Sequence, residues 1–136
     1  MQRSPFYKEV LKTYHQQLHG SKELLPRMAT LVAALKEEIP YYTGCGFYFA
    51  EQPELEIGPY QGKTLKAKIS YHHICGKAIR QQQPIIERKK LSLALPLIDP
   101  EGRIIASFYA TAQKVVFNQE DIQALQKILK KLFTQD

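Results

Sequence analysis

The chain has 136 residues, 44% hydrophobic, 10% aromatic and 24% charged, which suits one globular core and excludes a disordered chain. No apolar run is long enough to span a membrane and Met1 to Lys8 lacks the apolar centre of a signal peptide, so a cytoplasmic protein is expected. The formal charge of +6 comes from lysines and arginines spread from Arg3 to Lys131, which argues against nucleic acid and leaves room for an anionic partner.

Ser4-Pro5 offers a helix start with Ser4 as cap, and Phe6, Val10, Tyr14 and Leu18 then recur at helical spacing, with Tyr7 and Leu11 beside them, until Gly20. A second helix is expected from Ser21. It puts Leu24, Leu25, Met28, Leu31, Val32 and Leu35 on one face, tolerates Pro26 near its start and closes at Ile39-Pro40. From Thr43 the pattern turns to short runs rich in aromatic and β-branched residues. These predict strands at Cys45–Ala50, Leu55–Ile57, Leu65–Tyr71, Leu91–Ile98 and Arg103–Thr111. Gln52-Pro53 and Asp99-Pro100-Glu101-Gly102 are turn sequences, so the first two and the last two runs are expected to form antiparallel hairpins. Gly58-Pro59 and Gly62-Lys63 read as turns, and Pro96 requires an edge position or a bulge. A short helix is expected over Ile74–Arg80. Asn118-Gln-Glu-Asp121 then opens a last helix with Ile122, Leu125, Ile128, Leu129 and Leu132 as its buried stripe. The order predicts a single α+β domain over residues 1–136, with helices covering an antiparallel sheet.

Cysteines number only two, Cys45 and Cys75, too few for a disulfide framework or a cysteine-rich zinc site. Cys75 sits at a helix start, where unpaired N–H groups favour a thiolate, and Lys77, His72 and His73 are close in sequence. It is a candidate nucleophile or redox sensor, against the plainer reading of a buried thiol with no evident resolving partner. Cys45, within a strand run, reads as packed. His72 and His73 are adjacent in an extended segment and point apart. His15 and His19 share a helix face but lack a third ligand, so no metal is expected. Lys63, Lys66, Lys68, Lys77 and Arg80, with Arg88-Lys89-Lys90, could make a basic pocket mouth suited to a carboxylate, a phosphate or an acidic protein segment; ordinary surface lysines are the plainer reading.

Gly46-Phe-Tyr48, Gly58-Pro-Tyr-Gln-Gly-Lys63, Ile74-Cys-Gly76, Leu95-Pro-Leu97 and Phe117-Asn-Gln-Glu-Asp121 together resemble, in order and spacing, the free methionine-(R)-sulfoxide reductase branch of the GAF domains. The resemblance covers nearly the whole chain. It implies a GAF-like central antiparallel sheet with a pocket on one face, a helical layer of the two N-terminal helices and the C-terminal helix on the other, and a homodimer built through helices. It also implies three cysteines, of which only Cys75 is present: Lys66 stands at the strand cysteine, and Pro84 to Lys90 is too short to carry the catalytic loop. Where the family has three pocket carboxylates, this chain has Ser92, Tyr109 and Thr111, and Gly44 stands where a tryptophan is usual.

These departures lead to an expectation of a non-catalytic GAF-like domain that binds a small molecule or a partner protein, framed by Tyr48, Tyr60, Gln61, Cys75 and Tyr109, with no cofactor. Two alternatives stay open. One is a thiol-dependent reductase acting on free methionine-(R)-sulfoxide through Cys75. The other is a dimerisation or scaffold module whose sheet face is sealed by Tyr48, Phe108 and Tyr109.

Overall fold

The computed structural model describes residues 1–63 and 65–134. Helix α1 (Ser4–Leu18) buries Tyr7, Val10, Tyr14 and Leu18, and α2 (Leu24–Glu38) buries Met28, Leu31, Val32 and Leu35, as their apolar spacings require. Ser4 is the first residue of α1 rather than its cap. The helix start is satisfied from a distance, since the Glu120 carboxylate accepts the backbone N–H groups of Arg3 and Ser4, each at 2.7 Å. Helix α2 starts three residues later than Ser21 suggests, which leaves Pro26 in its first turn, where a missing N–H costs no bond.

Strands β1 (Tyr42–Phe49), β2 (Leu55–Gly62) and β3 (Lys68–Ile69) follow, then α3 (Ile74–Gln81), β4 (Ile85–Glu87), β5 (Ser92–Ile98), β6 (Ile104–Ala112) and α4 (Gln119–Lys130). They form one antiparallel sheet in the order β3-β2-β1-β6-β5-β4. The hairpins β1–β2 and β5–β6 form as expected. Asp99 shapes the second turn by accepting the N–H groups of Glu101 and Arg103 at 3.0 and 2.8 Å.

Three strand expectations are corrected. The run Leu65–Tyr71 contributes only Lys68–Ile69 to the sheet. Gly58 to Gly62, read as turns, continue β2: Gly46 faces Tyr60 and Tyr48 faces Ile57, so Gly58 and Pro59 together oppose Phe47 in a bulge. Ile85–Glu87, read as part of a linking loop, is β4 and pairs with Ser92–Ala94. Pro96 fits this arrangement although β5 is not the outermost strand, because β4 stops short of it and leaves that flank uncovered.

Helices α1, α2 and α4 pack on one face of the sheet, against Cys45, Phe47, Leu93, Leu95, Phe108 and Ala110 among others. Phe108 stacks edge-on to Phe47 with ring centroids 5.5 Å apart. It therefore lies opposite Tyr48 and Tyr109 and cannot help to seal their face, since consecutive strand residues alternate. Asp121 locks this layer. It is completely buried, forms an ion pair with Arg3, accepts the Tyr7 and Tyr41 hydroxyls at 2.7 and 2.6 Å, and takes the Asn118 N–H at 2.9 Å. The last bond is half of a capping box at α4, completed by Asn118 Oδ1 accepting from the N–H groups of Glu120 and Asp121. A smaller apolar cluster, with Tyr48, Leu55, Ile69, Ile74, Cys75, Ala78 and Ala94, joins α3 to the other face.

Candidate functional site

On the α3 face of the sheet lies a cleft of about 560 Å³. Alternation in β1 sends Phe47 to the helical layer and Tyr48 to this side. The Tyr48 hydroxyl donates to the Lys66 carbonyl at 2.8 Å and so pins the segment leading into β3 across the cleft. Tyr109, from β6, is in register with Gly46 and Ala94, two small neighbours that leave its ring room. His73 completes an aromatic triangle: its ring centroid is 5.1 Å from Tyr109 and 6.3 Å from Tyr48, and the two tyrosine rings are 6.3 Å apart.

His73 owes its place to the start of α3. As N-cap residue, its Nδ1 accepts the Cys75 N–H at 3.1 Å, which assigns the ring proton of the neutral imidazole to Nε2. Burial lowers the His73 pKa below its usual value; Glu87 opposes this, and Lys90 and Lys66 add to it. The neutral form, with an Nε2–H donor, is thus the form present at neutral pH. Around this centre the lining is completed by Leu65, Lys66, Lys68, Ile69 and Ser70 from the β3 segment, Glu54 from the β1–β2 turn, and Lys90 from the turn before β5.

The five residues expected to frame the pocket are divided. Tyr48 and Tyr109 both line the cleft. Cys75 is 0% exposed and packs in the cluster beneath them, absent from the lining. Tyr60, which is 40% exposed, and Gln61 lie past the bulge on the continuing β2 strand, also outside the lining, because that stretch pairs with β1 instead of folding over the pocket.

Both thiols are in unreactive surroundings. Burial pushes the Cys75 thiol well above its usual value, with the Ser107 hydroxyl only partly countering it. Burial pushes Cys45, on the opposite face of the sheet, up to about 12, and its Sγ donates to the Val32 carbonyl at 3.5 Å. Ser92 and Thr111 are register partners; Thr111 exchanges a 2.7 Å hydrogen bond with Thr43. One carboxylate that spacing alone did not place here is Glu87 of β4, which accepts the Ser92 hydroxyl at 3.5 Å. Lys63, Lys77 and Arg80 are not in the cleft lining. His19 is the left-handed C-cap of α1, at φ 52°, so it does not continue the helix face of His15. Two smaller grooves, of about 340 Å³ between β5 and α4 and about 210 Å³ between α1 and α4, lack a comparable set of converging aromatic and charged groups.

A six-stranded antiparallel sheet with a helical layer behind it and a cleft beside a short helix in front defines the GAF fold. A Burkholderia vietnamiensis protein described as a GAF sensor superposes with a TM-score of 0.84 at 19% identity, over 97% of this chain and 94% of the other. The fRMsr of Staphylococcus aureus in complex with its substrate gives 0.81 at 19% identity, over 94% of this chain and 95% of the other. In sequence, the chain is 29% identical over 84 residues to the free methionine-R-sulfoxide reductase of Escherichia coli K12, matching 61% of this chain and only 51% of that protein's length. It is 28% identical over 143 residues to GAF domain-containing protein A of Dictyostelium discoideum, covering 93% of this chain and 89% of the relative. No protein-family profile matches the chain. The chain has a GAF-like fold, and its relatives include a GAF domain-containing protein and a free methionine-R-sulfoxide reductase.

Proposed function

We propose that this GAF domain binds a small molecule in the cleft without chemically converting it, the role of a sensing or regulatory domain. The observation that carries the reading is the separation of thiol from cleft. Cys75, the one cysteine at a reductase-type position, has no exposed surface, and burial holds its sulfur protonated. Sulfoxide reduction needs a thiolate that can reach the substrate sulfur. The open volume beside Tyr48, His73 and Tyr109 suits a ligand better than it suits a purely scaffolding face, which would be filled.

Two measurements test the reading together. Thermal-shift screening against fractionated small-molecule metabolites is expected to raise the Tm with at least one fraction. Incubation with free methionine-(R)-sulfoxide and a dithiol reductant is expected to form no more methionine with wild type than with Cys75→Ser. Methionine production that depends on Cys75 would replace this proposal with the reductase reading. A flat response to every fraction would remove ligand binding.

A further inference from the structure

Charge at the cleft is uneven. Lys66, Lys68 and Lys90 share its lining with a single carboxylate, Glu54. These lysines arrive from two directions, the segment around β3 and the turn between β4 and β5. No ion pair holds any of them among the described residues, although Arg103 and Lys12 elsewhere on the surface do pair with acids. Glu87 is nearby, but it belongs to the Ser92 side of the floor and is not in the lining. An anion entering the cleft would therefore meet lysines whose charge is not already neutralised.

The floor adds direction to this charge. With Nδ1 engaged by the Cys75 N–H, His73 keeps Nε2–H as a neutral donor in a ring that packs beside those of Tyr48 and Tyr109 and lines the cleft. The two tyrosines, Leu65 and Ile69 supply apolar wall. Lys66 is also positioned through its backbone, because Tyr48 holds its carbonyl.

We propose that the cleft selects a small organic anion, whose phosphate or carboxylate head sits among Lys66, Lys68 and Lys90 and whose body lies against Tyr48 and Tyr109. This rests on the ligand-binding reading above and narrows it to a charge class. A free amino acid zwitterion fits less well, since its ammonium group would face lysines.

Four probes of one shape separate the possibilities: phenyl phosphate, benzoate, benzyl alcohol and benzylamine, each titrated into isotope-labelled wild-type protein and followed by amide NMR shifts. Saturable shifts at His73, Tyr109 and the Lys66 segment are expected with phenyl phosphate and benzoate, weakening as salt is raised. Lys66→Gln/Lys90→Gln is expected to weaken the anions about tenfold, the effect of two ion pairs near the upper end of the exposed range. Phenyl phosphate exceeding benzoate would assign a phosphate head, and the reverse a carboxylate. Benzyl alcohol or benzylamine binding as tightly as both anions would overturn the charge selection while leaving ligand binding intact. No saturable shift from any of the four overturns this inference and counts against the ligand-binding reading as well.

Discussion

Replacing Asp121 with alanine tests how the helical layer is locked. The substitution leaves the Arg3 guanidinium, with a side chain only 10% exposed, without its counter-charge. Removing one partner of a buried ion pair costs about 3–5 kcal/mol. Tyr7 keeps a second hydroxyl partner in Tyr42 at 2.9 Å, so its loss is partial, while Tyr41 loses its carboxylate acceptor. Burial raises the pKa of both Tyr7 and Tyr41, so neither hydroxyl escapes the loss by ionising. The capping box at α4 also loses one of its two bonds, a further cost of about 1 kcal/mol before relaxation. Because water and side-chain shifts recover part of this, the net expected loss is about 4 kcal/mol, a large share of the roughly 5–15 kcal/mol that holds a domain together. With a urea slope of about 2 kcal/mol/M, the midpoint should fall by about 2 M with the slope unchanged. Arg3→Met combined with Asp121→Leu should recover part of the loss, since no charge then remains buried. A fall of less than about 1 kcal/mol for Asp121→Ala would show that this network does not join α1 to α4 energetically.

Three further outcomes are expected. The folded pKa of His73 lies below the unfolded one, so its neutral form stabilises the fold fully above about pH 6.5 and that contribution is lost as pH falls through the folded value. His73→Asn keeps a capping acceptor but cannot titrate, and thermal melts from pH 7.5 to 5 should show wild type losing stability more steeply; parallel curves would refute the assignment. Gly76 sits so close to the Tyr71 backbone that an added Cβ would overlap it, so Gly76→Ala should cost about 1–3 kcal/mol in urea titration, and an unchanged midpoint would mean that α3 can shift freely. Iodoacetamide at pH 8 should leave Cys45 and Cys75 unlabelled in the folded protein and label both in urea, as read by mass; rapid native labelling of Cys75 would revive its candidacy as a nucleophile.

Helical spacing made α1, α2 and α4 legible, and long alternating runs did the same for β1, β5 and β6. What escaped detection was short or locally ambiguous. Two residues in β3 and three in β4 carry no measurable period, and Gly58-Pro59 reads as a turn until its place opposite Phe47 is known. At the candidate site, Tyr48 and Tyr109 were accessible through family resemblance, and Lys66 and Lys68 through their two-residue spacing. The sequence offers His73 only as a neighbour of Cys75 and a weak metal ligand, not as a pocket residue, because its role depends on capping α3 and histidine is not a usual cap; its place directly before Ile74 is the available signal. Lys90 reaches the lining, and Glu87 the margin beside Ser92, only through β4 and its turn. The long-range cap from Glu120 to α1 likewise required the tertiary structure.

The bulged and truncated margins of the sheet also bear on edge-to-edge strand pairing between copies. Strand β2 is flanked by β3 only at its beginning and carries Pro59 shortly beyond; β5 is flanked by β4 only over Ser92–Ala94 and carries Pro96 shortly beyond. At both places the ladder stops and a proline, which has no N–H, follows. A copy arriving edge-on would find no continuous row of donors to extend, which lowers the chance that the sheet seeds aggregates.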